Sequence, residues 1–315
     1  MVQLQAVRYV ESSLHEDHAP NLRSEHKRVV YEHALATRSS SEIVIEAIRW
    51  ASAGLPAAYL TTTPSGRTCE IVPGVFDYVS STSSEVHWYV NFADPELFVA
   101  YGTPLLAKDE LQVAEHPALG CVREALISEG HSTSVEDAAG RPTPFTIVGV
   151  PRRVMIDTTT GLYGNAFSRA SLDTVRQAIH PVDPEVRSNI VAIAAPRPGH
   201  GTYHKDEITA ALGAAYTGFA AARAHLSTPE TTIHTGFWGC GAFGGNRALM
   251  TIVQAAAAEA AGVKLVFHAF DDAGVAVARD AYAQYKQLRA TVETPPDLIE
   301  ALYRLGFEWG ESDGN

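Results

Sequence analysis

The chain has 315 residues, 46% hydrophobic and 19% charged, enough apolar material for a sizeable core in one large α/β domain or two smaller ones. A net charge of −12 argues against a protein that coats nucleic acid, since such proteins need a basic face for the phosphates, and no sequence-specific DNA binding is expected. Cys69, Cys121 and Cys240 form neither a disulfide framework nor a zinc spacing, the start lacks a signal-peptide pattern, and no apolar run spans a bilayer, so a soluble cytoplasmic protein is expected.

Residues 1 to about 60 read as a helical accessory segment, with Ile45, Ile48 and Ala51 at helical spacing after Ser41 and Gly54 as the stop. A strand follows in EVHWYVNF, where Val86, Trp88, Val90 and Phe92 share one face. A loop, ADPELFVAYGTP, leads to the acidic cluster AKDELQVAEHP, and a helix is predicted from Ala118 to Ser128. Glu129 to Thr143 reads as a long polar loop.

The second half alternates. β-branched runs begin at Phe145 and Arg153, a helix at Ser171, a buried strand at Asn189 and a long helix at Asp206. Thr231 opens a short strand, RALMTIVQAAAAEAAG is a helix with Asn246 as N-cap and Gly262 past its end, and Val263 opens another strand before closing helices. Such alternation with apolar strands implies a sheet covered on both faces, in one domain without repeats or linkers.

The segment TGFWGCGAFGGNRALM, from Thr235 to Met250, carries most chemical information. Gly239, Gly241, Gly244 and Gly245 lie between a strand and a helix. Glycines let backbone N–H groups converge on an anion, and the helix start adds its free N–H groups and positive dipole end, which suits a diphosphate. A tight turn without a ligand is the plain alternative; Trp238 and Phe243 beside the glycines favour sugar or base contacts. Gly239, Gly241 and Gly244 also satisfy G-x-G-x-x-G, so a nicotinamide-dependent oxidoreductase is a third reading. It ranks lower because only about 70 residues follow, and the acidic pair Asp271 and Asp272 begins 27 residues past Gly244 rather than the roughly 20 of that motif.

Asp109 and Glu110 are vicinal carboxylates, 15 residues after Asp94 in the frame Val90-Asn91-Phe92-Ala93-Asp94. Alone they would be read as solvated surface charge. Together with the glycine-rich segment they resemble the catalytic domain of poly(ADP-ribose) glycohydrolases, a branch of the macrodomain fold. In that family a strand ending Val-Asp-Phe-Ala-Asn leads through a glycine triplet to Gln-Glu-Glu, and a later Gly-Asn-Trp-Gly-Cys-Gly-Ala-Phe-Gly-Gly forms the diphosphate loop. Gly236-Phe237-Trp238-Gly239-Cys240-Gly241-Ala242-Phe243-Gly244-Gly245 differs from it at one position of ten. Three departures stand out: the Asp and Asn are exchanged as Asn91 and Asp94, Val99-Ala100-Tyr101-Gly102 replaces the triplet, and Lys108-Asp109-Glu110 replaces Gln-Glu-Glu.

The resemblance, from about Trp88 to Asp271, implies a three-layer α/β/α macrodomain with a mixed sheet and helical extensions over residues 1–60 and 275–315. It implies an ADP-ribose glycohydrolase cleaving the ribosyl bond of ADP-ribosylated protein, polymer or nucleic acid, with a non-catalytic ADP-ribose reader as the alternative. Glu110 takes the acid and base roles and Asp109 orients ribose or leaving group. Asn91, Asp94 and the turn from Trp238 to Gly245, including Cys240 and Ala242, bind the ligand, and Phe270 stacks on adenine. Neither a metal nor a cofactor is required. Outside this set, His15 and His18 read as surface residues, His200 and His204 as loop histidines, and His234 and His268 as strand-end residues that touch the ligand or pack.

Overall fold

The computed structural model describes residues 1–38, 42–57, 69–226 and 230–314. Eight strands form one mixed sheet: β1 (Gln3–Val10), β2 (Val44–Trp50), β3 (Cys69–Val72), β4 (Glu85–Ala93), β5 (Phe145–Ile156), β6 (Ile179–Ala194), β7 (Glu230–Thr235) and β8 (Lys264–His268). The spatial order is β1-β2-β5-β6-β4-β7-β8-β3. β6, β4, β7, β8 and β3 are mutually parallel, while β1, β2 and β5 add an antiparallel flank. The mixed sheet expected from the sequence is therefore present.

Its two faces carry separate cores. On one, Val86, Trp88 and Val90 of β4 meet Val191 and Ile193 of β6, Ile233, Leu265 and Phe267. That surface is closed by α6 (Lys205–His225), α7 (Arg247–Ala261), α8 (Asp272–Arg289) and α9 (Pro295–Arg304). On the other, Tyr89 and Ala93 of β4 join Ile45, Phe145, Ile147 and Ile190 under α1 (Glu11–Asp17), α3 (Lys108–Glu115) and α4 (Ala118–Ser128). A further cluster gathers α2 (Glu25–Ala36) and α5 (Leu172–Ala178) around Val154, Ile156 and Ile179. Alternate residues of β4 thus serve opposite cores, which is what a period of two requires of a buried strand.

Two sequence expectations need correction. The helix expected over Ile45, Ile48 and Ala51 is strand β2, paired with β1 and β5, while Ser41 lies outside the described residues. Ile45 and Ala47 face one core and Ile48 and Trp50 another, so burial on both faces blurred the alternation. The first 50 residues also build into the sheet through β1 and β2 instead of being helical throughout. The runs starting at Phe145 and Arg153 form the single strand β5, whose register shifts between Ile147 and Val150 around Gly149 at φ 78°. Predicted helices at Ala118–Ser128 and after Asn246 are present, the latter capped by the Asn246 side chain and closed by left-handed Gly262. Among the described residues no helix is long and apolar enough to cross a membrane.

Candidate functional site

Parallel strands β4, β6, β7 and β8 end along one edge of the sheet, and in open α/β sheets the crevice beyond those ends is where ligands bind. The glycine-rich turn leaves β7 there and runs to α7, where Asn246 Oδ1 accepts from the N–H groups of Ala248 and Leu249, both at 3.1 Å. Gly239 and Gly244 have φ of 74° and 65°, a region that side-chain-bearing residues rarely adopt. The Gly245 N–H donates to the Gly239 carbonyl at 2.9 Å, and a Cβ on Gly245 would stand 2.6 Å from that oxygen. At Gly245 the turn thus leaves no room for a side chain.

Its named residues divide into two sets. Trp238 is fully buried in the α6–α9 core, and Phe243 is half-buried against the same core. Cys240 is half-buried between them, and burial pushes its thiol up to about 12, which suits the expected packing role better than a nucleophilic one. Gly241 and Ala242 form the outer bend, Ala242 being exposed. Phe270 follows β8 with 71% of its surface exposed and φ of 67°, held by paired backbone hydrogen bonds to Gly74. An aromatic ring so presented has a free face for a planar partner.

The carboxylates stand at the first turn of α3, which packs on β4 and β5. Glu110 is 3% exposed, and its Oε2 accepts from the Ala107 N–H at 3.0 Å, satisfying one of the free donors at the helix start. Burial, followed by the adjacent Glu110 carboxylate, holds the Asp109 carboxyl well above the usual range, while Lys27 pulls the other way. Asp109 is half-buried beside the buried Glu110, and it keeps its proton because two adjacent negative charges are poorly solvated there. Lys27, on α2, is 3% exposed, donates to the Tyr101 carbonyl at 2.8 Å, and is brought down to about 8 by burial.

Lys108 links the two regions. Its ammonium lies 3.7 Å from the Phe76 ring centre and 4.9 Å from that of Phe92, and 3.7 Å from where a Cβ on Gly236 would stand. Burial pulls it down to about 7. Asn91, fully buried, donates from Nδ2 to Gln112 Oε1 of α3 at 3.0 Å, and Gln112 Nε2 donates to the Tyr78 hydroxyl at 3.2 Å. Asn91 therefore ties β4 to α3, and its Oδ1 has no partner among the described residues. Asp94 is exposed just past β4.

Beside Lys108 runs a row of imidazoles across three strands. His87 Nδ1 and His234 Nε2 are 3.0 Å apart, as are His234 Nδ1 and His268 Nε2. Burial brings His234 down to about 3 and His268 to about 4, with Lys108 adding to the latter shift, so both are neutral near pH 7. Asp77, His234 and His268 bring potential ligand atoms within 4.8 Å of one another, but the neighbouring Lys108 ammonium opposes a cation there. His234 and His268 thus pack into the sheet. His15 corrects the expectation of a surface residue: it is 8% exposed and bonded to the Tyr31 hydroxyl at 2.8 Å.

Lys27, Phe76 and Tyr163 lie beside the predicted residues without a local motif to announce them. Lys27 lies 82 residues before Asp109, in an ordinary helix, and only packing brings it to α3.

Comparison with known proteins adds the following. Residues 155–277 match the family model described as poly(ADP-ribose) glycohydrolase, macro domain fold. That span holds the glycine-rich turn and Phe270, whereas Asp109 and Glu110 lie before it. A search of curated proteins finds no match. Among solved structures, the chain is similar to Thermomonospora curvata poly(ADP-ribose) glycohydrolase bound to the inhibitor ADP-HPD, at 16% identity over 82% of this chain and 98% of that one, TM-score 0.49. A further structure of the Thermomonospora curvata enzyme gives 16% identity over 89% and 85%, TM-score 0.45. The Deinococcus radiodurans enzyme in complex with ADP-ribose gives 13% over 89% and 94%, TM-score 0.43.

Proposed function

We propose that this chain, which through residues 155–277 belongs to the poly(ADP-ribose) glycohydrolase-like macrodomain family, hydrolyses the ribosyl bond of ADP-ribosylated acceptors. The observation that carries the reading is the glycine-rich turn at the sheet edge, inside the matched span, with Asp109 held protonated beside Glu110 on α3, whose Lys108 ammonium reaches the start of the turn at Gly236. The turn binds the diphosphate through backbone N–H groups, Phe270 stacks on the adenine, and the ribosyl end reaches α3.

Cleaving a ribosyl bond passes through an oxocarbenium-like state, which needs a proton on the leaving oxygen and a base for water. Glu110 serves as that acid and base. Asp109, held protonated by burial and by its neighbour, passes its proton through the Glu110 carboxyl to the leaving oxygen, and Glu110 then takes a proton from the attacking water, so the pair ends with the one proton it began with. Lys27 limits the charge that the pair accumulates. The acceptor is an ADP-ribosylated protein, polymer or nucleic acid, and three unpaired cysteines suit a reducing cytoplasm.

The test is incubation with a panel of ADP-ribosylated protein, polymer and nucleic acid, reading free ADP-ribose. Turnover on at least one substrate is expected. Tight ADP-ribose binding with no release from any of them would replace the hydrolase with a reader.

A further inference from the structure

The segment after α9 returns across the sheet edge. Trp309 stacks on Tyr203 with ring centres 4.1 Å apart and planes at 13°, and its backbone N–H donates to the Gly201 carbonyl at 2.8 Å. Asn246 Nδ2, from the cap of α7, donates to the Glu308 carbonyl at 3.0 Å. These contacts anchor the segment beside the glycine-rich turn.

Beyond the anchor the chain lies directly on the turn. The Gly310 N–H donates to the Gly244 carbonyl at 2.7 Å, and the Asp313 N–H faces the Gly241 carbonyl at 3.4 Å. Asp313 Oδ2 lies 3.2 Å from where a Cβ on Gly241 would stand, and a Cβ on Gly244 would meet the Gly310 carbonyl at 2.8 Å. Asn165 Nδ2 then donates to the Gly314 carbonyl at 3.0 Å. After burial, the charges of Asp313, Asp109 and Glu110 together push the neighbouring Tyr163 hydroxyl up to about 12. The segment therefore covers the ground between the turn and the carboxylate pair, with an anionic group over the glycines.

We propose that Gly310–Gly314 is a displaceable strap whose Asp313 carboxylate stands where the diphosphate of a bound nucleotide would lie, so that the ligand must compete with this segment. The inference rests on the nucleotide reading of the turn. Gly310, Glu311, Ser312, Asp313 and Gly314 are all exposed and belong to no helix or strand, so their release does not require unfolding an element. A strap of this kind makes the free site self-occluded and sets a threshold on ligand affinity.

Three full-fold versions test it: the unaltered chain, Asp313→Ala, and a chain ended after Trp309, which keeps the Trp309–Tyr203 stack. ADP-ribose and inorganic pyrophosphate are titrated calorimetrically into each, and amide exchange is followed at Gly310. Shortening should tighten both ligands by about tenfold, the scale of losing one or two competing hydrogen bonds, and Asp313→Ala should give a smaller gain. In the unaltered chain, saturating ADP-ribose should accelerate exchange at Gly310. Equal affinity in the unaltered and shortened chains, or Gly310 exchange unchanged at saturation, overturns the strap. Pyrophosphate tightened by shortening while ADP-ribose binds no version sustains the strap and overturns the nucleotide reading. Neither ligand binding any version overturns both.

Discussion

The glycine-rich turn and the first turn of α3 meet at one sheet edge but are built on opposite physical terms. The turn is contiguous in sequence and made of backbone: its shape follows from left-handed glycines, a capped helix and the absence of Cβ atoms. The α3 end is made of side chains from distant elements: Asp109, Glu110 and Lys27 balance one another's charge, and Lys108 is desolvated against aromatic rings. A steric change should therefore damage the turn at every pH, whereas changes at α3 should act through charge and protons. That contrast teaches where to look for binding and where for chemistry.

The largest effect should come from the acid pair. Glu110→Gln keeps shape but cannot cycle a proton, so single-turnover release of ADP-ribose should fall by roughly 10²–10⁴ while ADP-ribose affinity is retained. Asp109→Asn should cost less in rate. If Asp109→Asn slows release as much as Glu110→Gln, the proton donor is Asp109 and the roles within the pair are exchanged.

On the turn, Gly245→Val places a Cβ against the Gly239 carbonyl, where 2.6 Å is available, so the backbone must shift. ADP-ribose affinity should drop by about 100-fold, corresponding to a few kcal/mol of backbone strain. The loss should be the same at pH 6 and pH 9, and a strong pH dependence would break the division between the two regions. Phe270→Ala comes next. Losing a base stack should weaken ADP-ribose by about 1–3 kcal/mol and leave ribose 5-phosphate nearly unaffected. Equal loss for both would mean a collapsed site.

The smallest expected effect concerns Lys108 and stability. Burial depresses its folded pKa to about 7, below the unfolded value near 10.4, so between those limits the unfolded chain binds more protons. Its contribution therefore becomes more favourable as pH rises from about 7 to about 10. Lys108→Met should remove that slope and raise stability near pH 6 by about 1 kcal/mol, or roughly 2–4 °C in Tm, part of the penalty being offset by attraction to the Phe76 ring. An unchanged pH slope by thermal melts would show that the ammonium stays hydrated.

Some of this was legible in the chain itself. The turn between Gly236 and Gly245, the Asn246 cap and Gly262 stop, and the shared face of Val86, Trp88 and Val90 are local properties, set by glycine conformations, capping chemistry and strand periodicity. The vicinal pair Asp109 and Glu110 was visible as well, although its position beside the turn was implied by resemblance and not by any local rule. Other features depended on the folded arrangement. β2 read as a helix because burial on two faces erased its alternation, and only pairing with β1 and β5 decides it. Trp238 looked like a ligand residue beside the glycines, yet the α6–α9 core takes its ring. Lys27, the imidazole row and the Gly310–Gly314 segment over Gly241 come from parts far apart in sequence, and desolvation, which decides the charge of Asp109 and Lys108, exists only once those parts have packed.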